Sequence, residues 1–111
     1  MTNEEFKRYT EECGYTYIDC GIVIFAVNDK RDGVWLAEFA SERKLRCCTD
    51  WSYPMGLTEF SIDKIYPFEP VELTDVSEYN YKKHLNNMTK LKKEIRQAER
   101  ERKLKEDFLD D

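Results

Sequence analysis

The spacing of apolar residues along this chain shifts from helical to alternating and back to helical, and those shifts predict its elements. Near the start, Phe6, Tyr9, Thr10 and Cys13 recur every three or four residues, as on one face of a helix. Thr2 stands three residues before Glu5, the arrangement of a capping box, and Gly14 can take the left-handed conformation that ends a helix. So short a helix is poorly stable alone, so its apolar edge should pack on the rest of the domain.

Residues 15–27 then change character. β-branched and aromatic residues dominate, and they favour extended backbone because they pack well across a pleat. From Ile22 the polar alternation disappears, which predicts a central strand with protein on both faces. One strand of that length would span about 43 Å at ~3.3 Å per residue, so a bend or bulge is expected at Gly21. A bent central strand favours a strongly curved sheet.

The polar run ending in Asp32-Gly33 predicts a hairpin loop in which Gly33 supplies a positive φ. Residues 34–40 form the return strand, and residues 45–51 a third, with Leu45, Cys47, Thr49 and Trp51 sharing one face. Pro54 and Gly56 place residues 52–56 in a loop. Residues 57–66 read as a fourth strand, with a bulge or an end near Asp63 and Lys64. Pro67 and Pro70 then predict an extended connector.

From about Val76 to Leu109 no glycine or proline interrupts a helical pattern, and Asp75 with Glu78, or Ser77 alone, can cap it. His84, Met88, Leu91, Ile95 and Ala98 fall within roughly 80° at 100° per residue. Lys82, Lys93, Arg96, Arg100 and Lys103 form a basic stripe away from them. Such a helix is roughly 50 Å long, against a body of about 30 Å, so its end should overhang. The prediction is an α+β protein: a short N-terminal helix, a strongly curved four-stranded antiparallel meander and a long C-terminal helix. A small, partly open barrel is the alternative. Residues 1–75 make the body, and residues 76–111 the helix, packed on the body and projecting beyond it.

Charge sharpens this division. The net charge is -5, but residues 1–80 carry 16 acidic and 8 basic groups, whereas residues 81–105 carry 10 basic and 3 acidic ones. An acidic body thus bears a basic helix, which could attract an acidic patch on a partner or on another copy. No apolar run is long enough to cross a bilayer, and the N-terminal residues lack the pattern of a secretory signal. Four cysteines without a secretory context are expected to be free thiols in the cytoplasm.

Candidate chemistry is sparse. His84 is the only histidine and lies on the apolar face of the helix, which suits packing better than catalysis. Cys47 and Cys48 are adjacent, so their side chains point to opposite faces of a strand and are poorly placed for joint chelation. Asp29, Asp32 and Glu38 lack the order of a calcium loop, and no phosphate-loop, nucleophile-elbow or zinc-protease motif occurs. No catalytic residue, cofactor or metal is therefore assigned.

Two features suit recognition. The aromatic segment with Trp51, Tyr53 and Met55 offers rigid contact area, although a hydrophobic plug at the end of the sheet would use the same residues. The far end of the helix offers Arg96, Arg100, Lys103, Leu104, Phe108 and Leu109. The expected function is a non-enzymatic interaction module, a small accessory or inhibitor-type protein that binds a larger protein or associates with itself. One alternative is a nucleic-acid accessory protein using the basic stripe, and another is a small enzyme whose site follows no known motif.

Overall fold

The computed structural model of the chain describes residues 1–30, 34–40, 44–52 and 65–109. Helix α1 spans Asn3–Glu12. Strands β1 (Thr16–Asp19), β2 (Val23–Val27), β3 (Trp35–Ala40), β4 (Leu45–Ser52) and β5 (Tyr66–Leu73) follow, and helix α2 spans Glu78–Leu109. The five strands form one antiparallel sheet in sequence order.

This corrects the predicted sheet. It has five strands where four were expected, and it is open and not strongly curled, so neither the curved meander nor the barrel describes it. The reason lies at Gly21. The predicted bend is a reversal: Cys20 donates its N–H to the carbonyl of Val23 at 2.8 Å, and Gly21 takes φ 87° between them. A glycine at the first central position with positive φ is what a two-residue hairpin with a type II′ turn requires. Asp19 Oδ1 accepts the Gly21 N–H at 2.9 Å, and Ile22 stands at the tip, 74% exposed. The run 15–27 is therefore two short strands, which removes the need for curvature.

The second correction concerns residues 66–73. Pro67 and Pro70 do not make a connector but sit within β5, opposite Trp51 and Cys48 of β4. Proline is tolerated there because, among the described strands, β5 is the last of the sheet and need not donate to a further neighbour. Glu69, between the two, takes φ 56°, and its carbonyl accepts from the Thr49 hydroxyl at 2.9 Å. Ser52, predicted in a loop, is the last residue of β4, while residues 53–56 of that loop, most of the strand predicted at 57–66 and Gly33 lie outside the described residues.

Both helices are capped as their sequences direct. Thr2 and Glu5 exchange the two bonds of the capping box at 3.0 and 3.1 Å, and Gly14 follows α1 with φ 86°. At the start of α2 the cap is Ser77, whose hydroxyl accepts from Asn80 N–H, while Asp75 accepts from Ser77 N–H.

The core lies between one sheet face and the helices. Phe6 of α1 is sandwiched between Phe39 of β3, with centroids 5.4 Å apart, and Tyr81 of α2, 5.0 Å away. Ile24, Ala37, Leu45 and Cys47 complete the sheet side, and Leu85 and Met88 the helix side. Buried polar groups are matched: Tyr81 Oη lies 2.6 Å from Thr10 Oγ1, whose own hydrogen goes to the carbonyl of Phe6 at 2.7 Å. This leaves Tyr81 as the donor to Thr10.

Candidate functional site on the long helix

Helix α2 meets two different environments. In its first turns Tyr81, Leu85 and Met88 are almost wholly buried, with Leu91 and Ile95 packed beside them. The predicted apolar arc is thus rotated: Tyr81 and Leu85 enter it, His84 is half-buried at its side, and Ala98 is exposed. Burial, helped by the neighbouring Lys83 charge, holds the His84 imidazole below its usual range. Among the described residues no cluster of His, Cys, Asp or Glu is placed to hold a metal ion.

Side chains along this half tie the helix to the body. Trp51 is buried and donates its indole N–H to the carbonyl of Met88 at 2.8 Å. The Lys92 ammonium lies over the same ring, 5.0 Å from its centroid. Tyr15 Oη and Thr89 Oγ1 are 2.6 Å apart, and Thr89 donates to the carbonyl of Leu85. Lys82, one of the predicted basic stripe, instead bridges Glu12 of α1 and Glu78 at the start of α2. Its pKa is raised by those two hydrogen-bonded carboxylates, and that of Glu12 is correspondingly lowered.

Beyond Ile95 the surroundings change. Every described side chain from Arg96 to Lys105 is exposed except Glu99, and Leu104 is 58% exposed. Among the described residues Arg96, Arg100 and Lys103 form no ion pair, so their charges face solvent. Phe108 and Leu109 belong to the last turn of the helix. Tyr53 and Met55 lie outside the described residues. Trp51, assigned from sequence either to a recognition surface or to a hydrophobic plug, is buried and bonded to α2 of its own chain.

The thiols offer no activated nucleophile among Cys13, Cys47 and Cys48. All four cysteines are free, and Cys20 is exposed. Burial pushes Cys47 up to about 12 and Cys48 to about 11, far from thiolate chemistry near neutrality. Cys13 is also raised by burial. Glu38 is paired with Arg46 at 2.9 Å, and Asp32 lies outside the described residues, so the first hairpin assembles no described cation site.

One grouping escaped the sequence reading. Cys13, Gly14, Tyr15, Asn28, Thr89, Lys92, Lys93 and Arg96 enclose a groove of about 320 Å³ where the end of α1 meets α2. Its α2 residues recur at intervals of three and four, which is visible in the sequence, but nothing there shows that Tyr15 and Asn28 stand opposite them.

Compared with protein-family models, curated proteins and solved structures, the chain matches none. Among the described residues no helix is long and apolar enough to cross a membrane.

Proposed function

We propose that this protein is a non-enzymatic interaction module whose distal α2 segment docks on an acidic protein surface, and that a second copy supplies that surface. The observation that carries the reading is the run of exposed side chains from Arg96 to Lys105, interrupted only at Glu99. A chain of this length packed into one compact body has a radius of gyration of about 13 Å. Here it is 16.2 Å, with a longest extent of 58 Å, which supports an arm standing away from the body.

Charge complementarity favours a second copy. At the β5 side of the sheet Glu69 and Glu72 of β5 and Asp50 of the neighbouring β4 are exposed, and Val71 of β5 is 42% exposed. Arg96, Arg100, Lys103 and Leu104 offer the opposite charge with a matching apolar contact. Opposed patches of this kind steer encounter and fix register. Because arm and edge are different surfaces, a one-way contact is heterologous and leaves a free edge at one end of the assembly and a free arm at the other unless the ring closes.

Light scattering tests it. At low ionic strength the full chain should give a multiple of 13.3 kDa, returning to one chain mass in high salt. Truncation after Ala98 should abolish the association while changing unfolding stability by no more than about 0.5 kcal/mol, as for exposed positions generally. A single-chain mass at every concentration and salt would remove self-association. Salt-sensitive binding to duplex DNA or RNA, weakened by R96Q and R100Q, would favour the nucleic-acid reading instead.

A further inference from the structure

We propose that the groove between the end of α1 and α2 is a binding site for a small phosphate monoester. Its floor is polar and ordered: Tyr15 is buried, and its hydroxyl is held 2.6 Å from that of Thr89. Since Thr89 gives its own hydrogen to Leu85, the Tyr15 hydroxyl is the donor in that pair, so the floor is fixed by hydroxyls already bonded to each other and the ligand is held from the rim. The rim carries Lys92 and Lys93 on one turn of α2 and Arg96 on the next, with Asn28 across from them just after β2. Among the described residues no carboxylate lines the groove.

Lys93 and Arg96 bring formal positive charge to the rim with no acid among the described lining residues, a local field opposite to that of the body. Such a field selects an anion, and its strength favours a phosphate dianion over a single carboxylate. A guanidinium can grip two phosphate oxygens at once, while ammonium groups act as point charges beside it. The Lys92 ammonium itself rests over the Trp51 ring, so Lys93 and Arg96 are the groups that meet the ligand. The volume is at the lower end of the range for small-molecule sites. Next to it a second cavity of about 400 Å³ shares Gly14 and Tyr15 and adds Glu11, Thr16, Tyr17 and Lys30. The phosphate would sit in the basic groove and the rest of the molecule in this neighbouring space, where the Tyr17 ring, already covered by Lys30 at 5.9 Å, offers an apolar wall.

This site stands apart from the docking arm, sharing only Arg96 with it. The test is a titration of the full chain, followed by amide NMR at low ionic strength, with inorganic phosphate, glycerol phosphate and acetate as separate probes. Both phosphates should give saturable shifts centred on Gly14, Tyr15, Asn28 and Thr89, with glycerol phosphate also moving Thr16 and Tyr17. Acetate should bind at least tenfold more weakly. K93Q combined with R96Q should weaken phosphate binding at least tenfold, whereas R100Q with K103Q should leave it unchanged. The chain truncated after Ala98 should still bind phosphate, so loss of self-association and loss of this site are separately visible. Shifts that never saturate and spread over all lysines, or an equal loss in the R100Q/K103Q variant, would overturn the proposal.

Discussion

Residues 78–95 of α2 are built into the domain, whereas residues 96–105 of the same helix meet mostly solvent, and the two stretches hold their helical form by different means. The first contains Tyr79, Asn80, Tyr81, His84, Asn86, Asn87 and Thr89, residues of middling or poor helix propensity. Packing holds them: Tyr81, Leu85 and Met88 are buried, and Trp51 and Tyr15 bond to the helix from the sheet side. The second is almost wholly Arg, Gln, Ala, Glu, Lys and Leu, the best helix formers. Intrinsic propensity can sustain that stretch where burial does not. An exposed half made of good helix formers, propagated from packed turns that already supply the nucleus, has the composition expected of an arm.

The largest test of this contrast is Tyr81→Ala. The ring stacks on Phe6 and its hydroxyl donates to Thr10, so truncation should cost about 3–5 kcal/mol by the usual range for buried aromatics. That is a large share of a typical domain stability of about 5–15 kcal/mol, and denaturant unfolding should show a severe loss. Tyr81→Phe keeps the stack and removes one hydrogen bond, with Thr10 still bonded to Phe6, for a cost of about 1 kcal/mol. If Tyr81→Ala were as mild as that, the near half of the helix would not be the structural half.

A smaller effect follows from proton binding. Cys47, Cys48 and Tyr81 have pKa values raised by burial, so the folded state retains protons that the unfolded state releases once pH passes their ordinary values of 9.0 and 10.0. Fewer protons on the unfolded chain mean that stability falls as pH rises from about 9 toward 11, by at most about 1.4 kcal/mol per pH unit for Cys47. In the acid direction Glu5, Glu12 and Asp19, whose pKa values are lowered by hydrogen bonds, lose their contribution as pH falls through the carboxylate range. Thiol labelling at pH 8 gives the matching readout: Cys20 should react first, and Cys47 and Cys48 only on unfolding. Fast labelling of Cys47 would show that the core under the helix is open.

Much of the fold was legible in residue order. The Thr2–Glu5 box, the Gly14 stop, the faces of Leu45, Cys47 and Trp51, and the uninterrupted α2 all follow from local chemistry. Two features were misread because one residue type serves two geometries. Gly21 permits both a bulge and a II′ turn, and the unbroken apolar run around it hid the reversal. Pro67 and Pro70 exclude a central strand but not an edge, and edge status is a property of the whole sheet. The angular placement of α2 missed Leu85 for a similar reason, since helix wheels fix relative directions and only packing fixes which one is inward. The basic groove was hidden because its two walls are far apart in sequence.

Hydrogen exchange along α2, measured in dilute and concentrated solution at low salt, tests the central claim most directly. Amides from 81 to 95 should be protected at both concentrations, while those from 96 to 105 should exchange readily when dilute and become protected only as copies associate. Strong protection of 96–105 in dilute single chains would mean that the segment is held by its own body, and lasting lack of protection at high concentration would mean that it docks on no second copy.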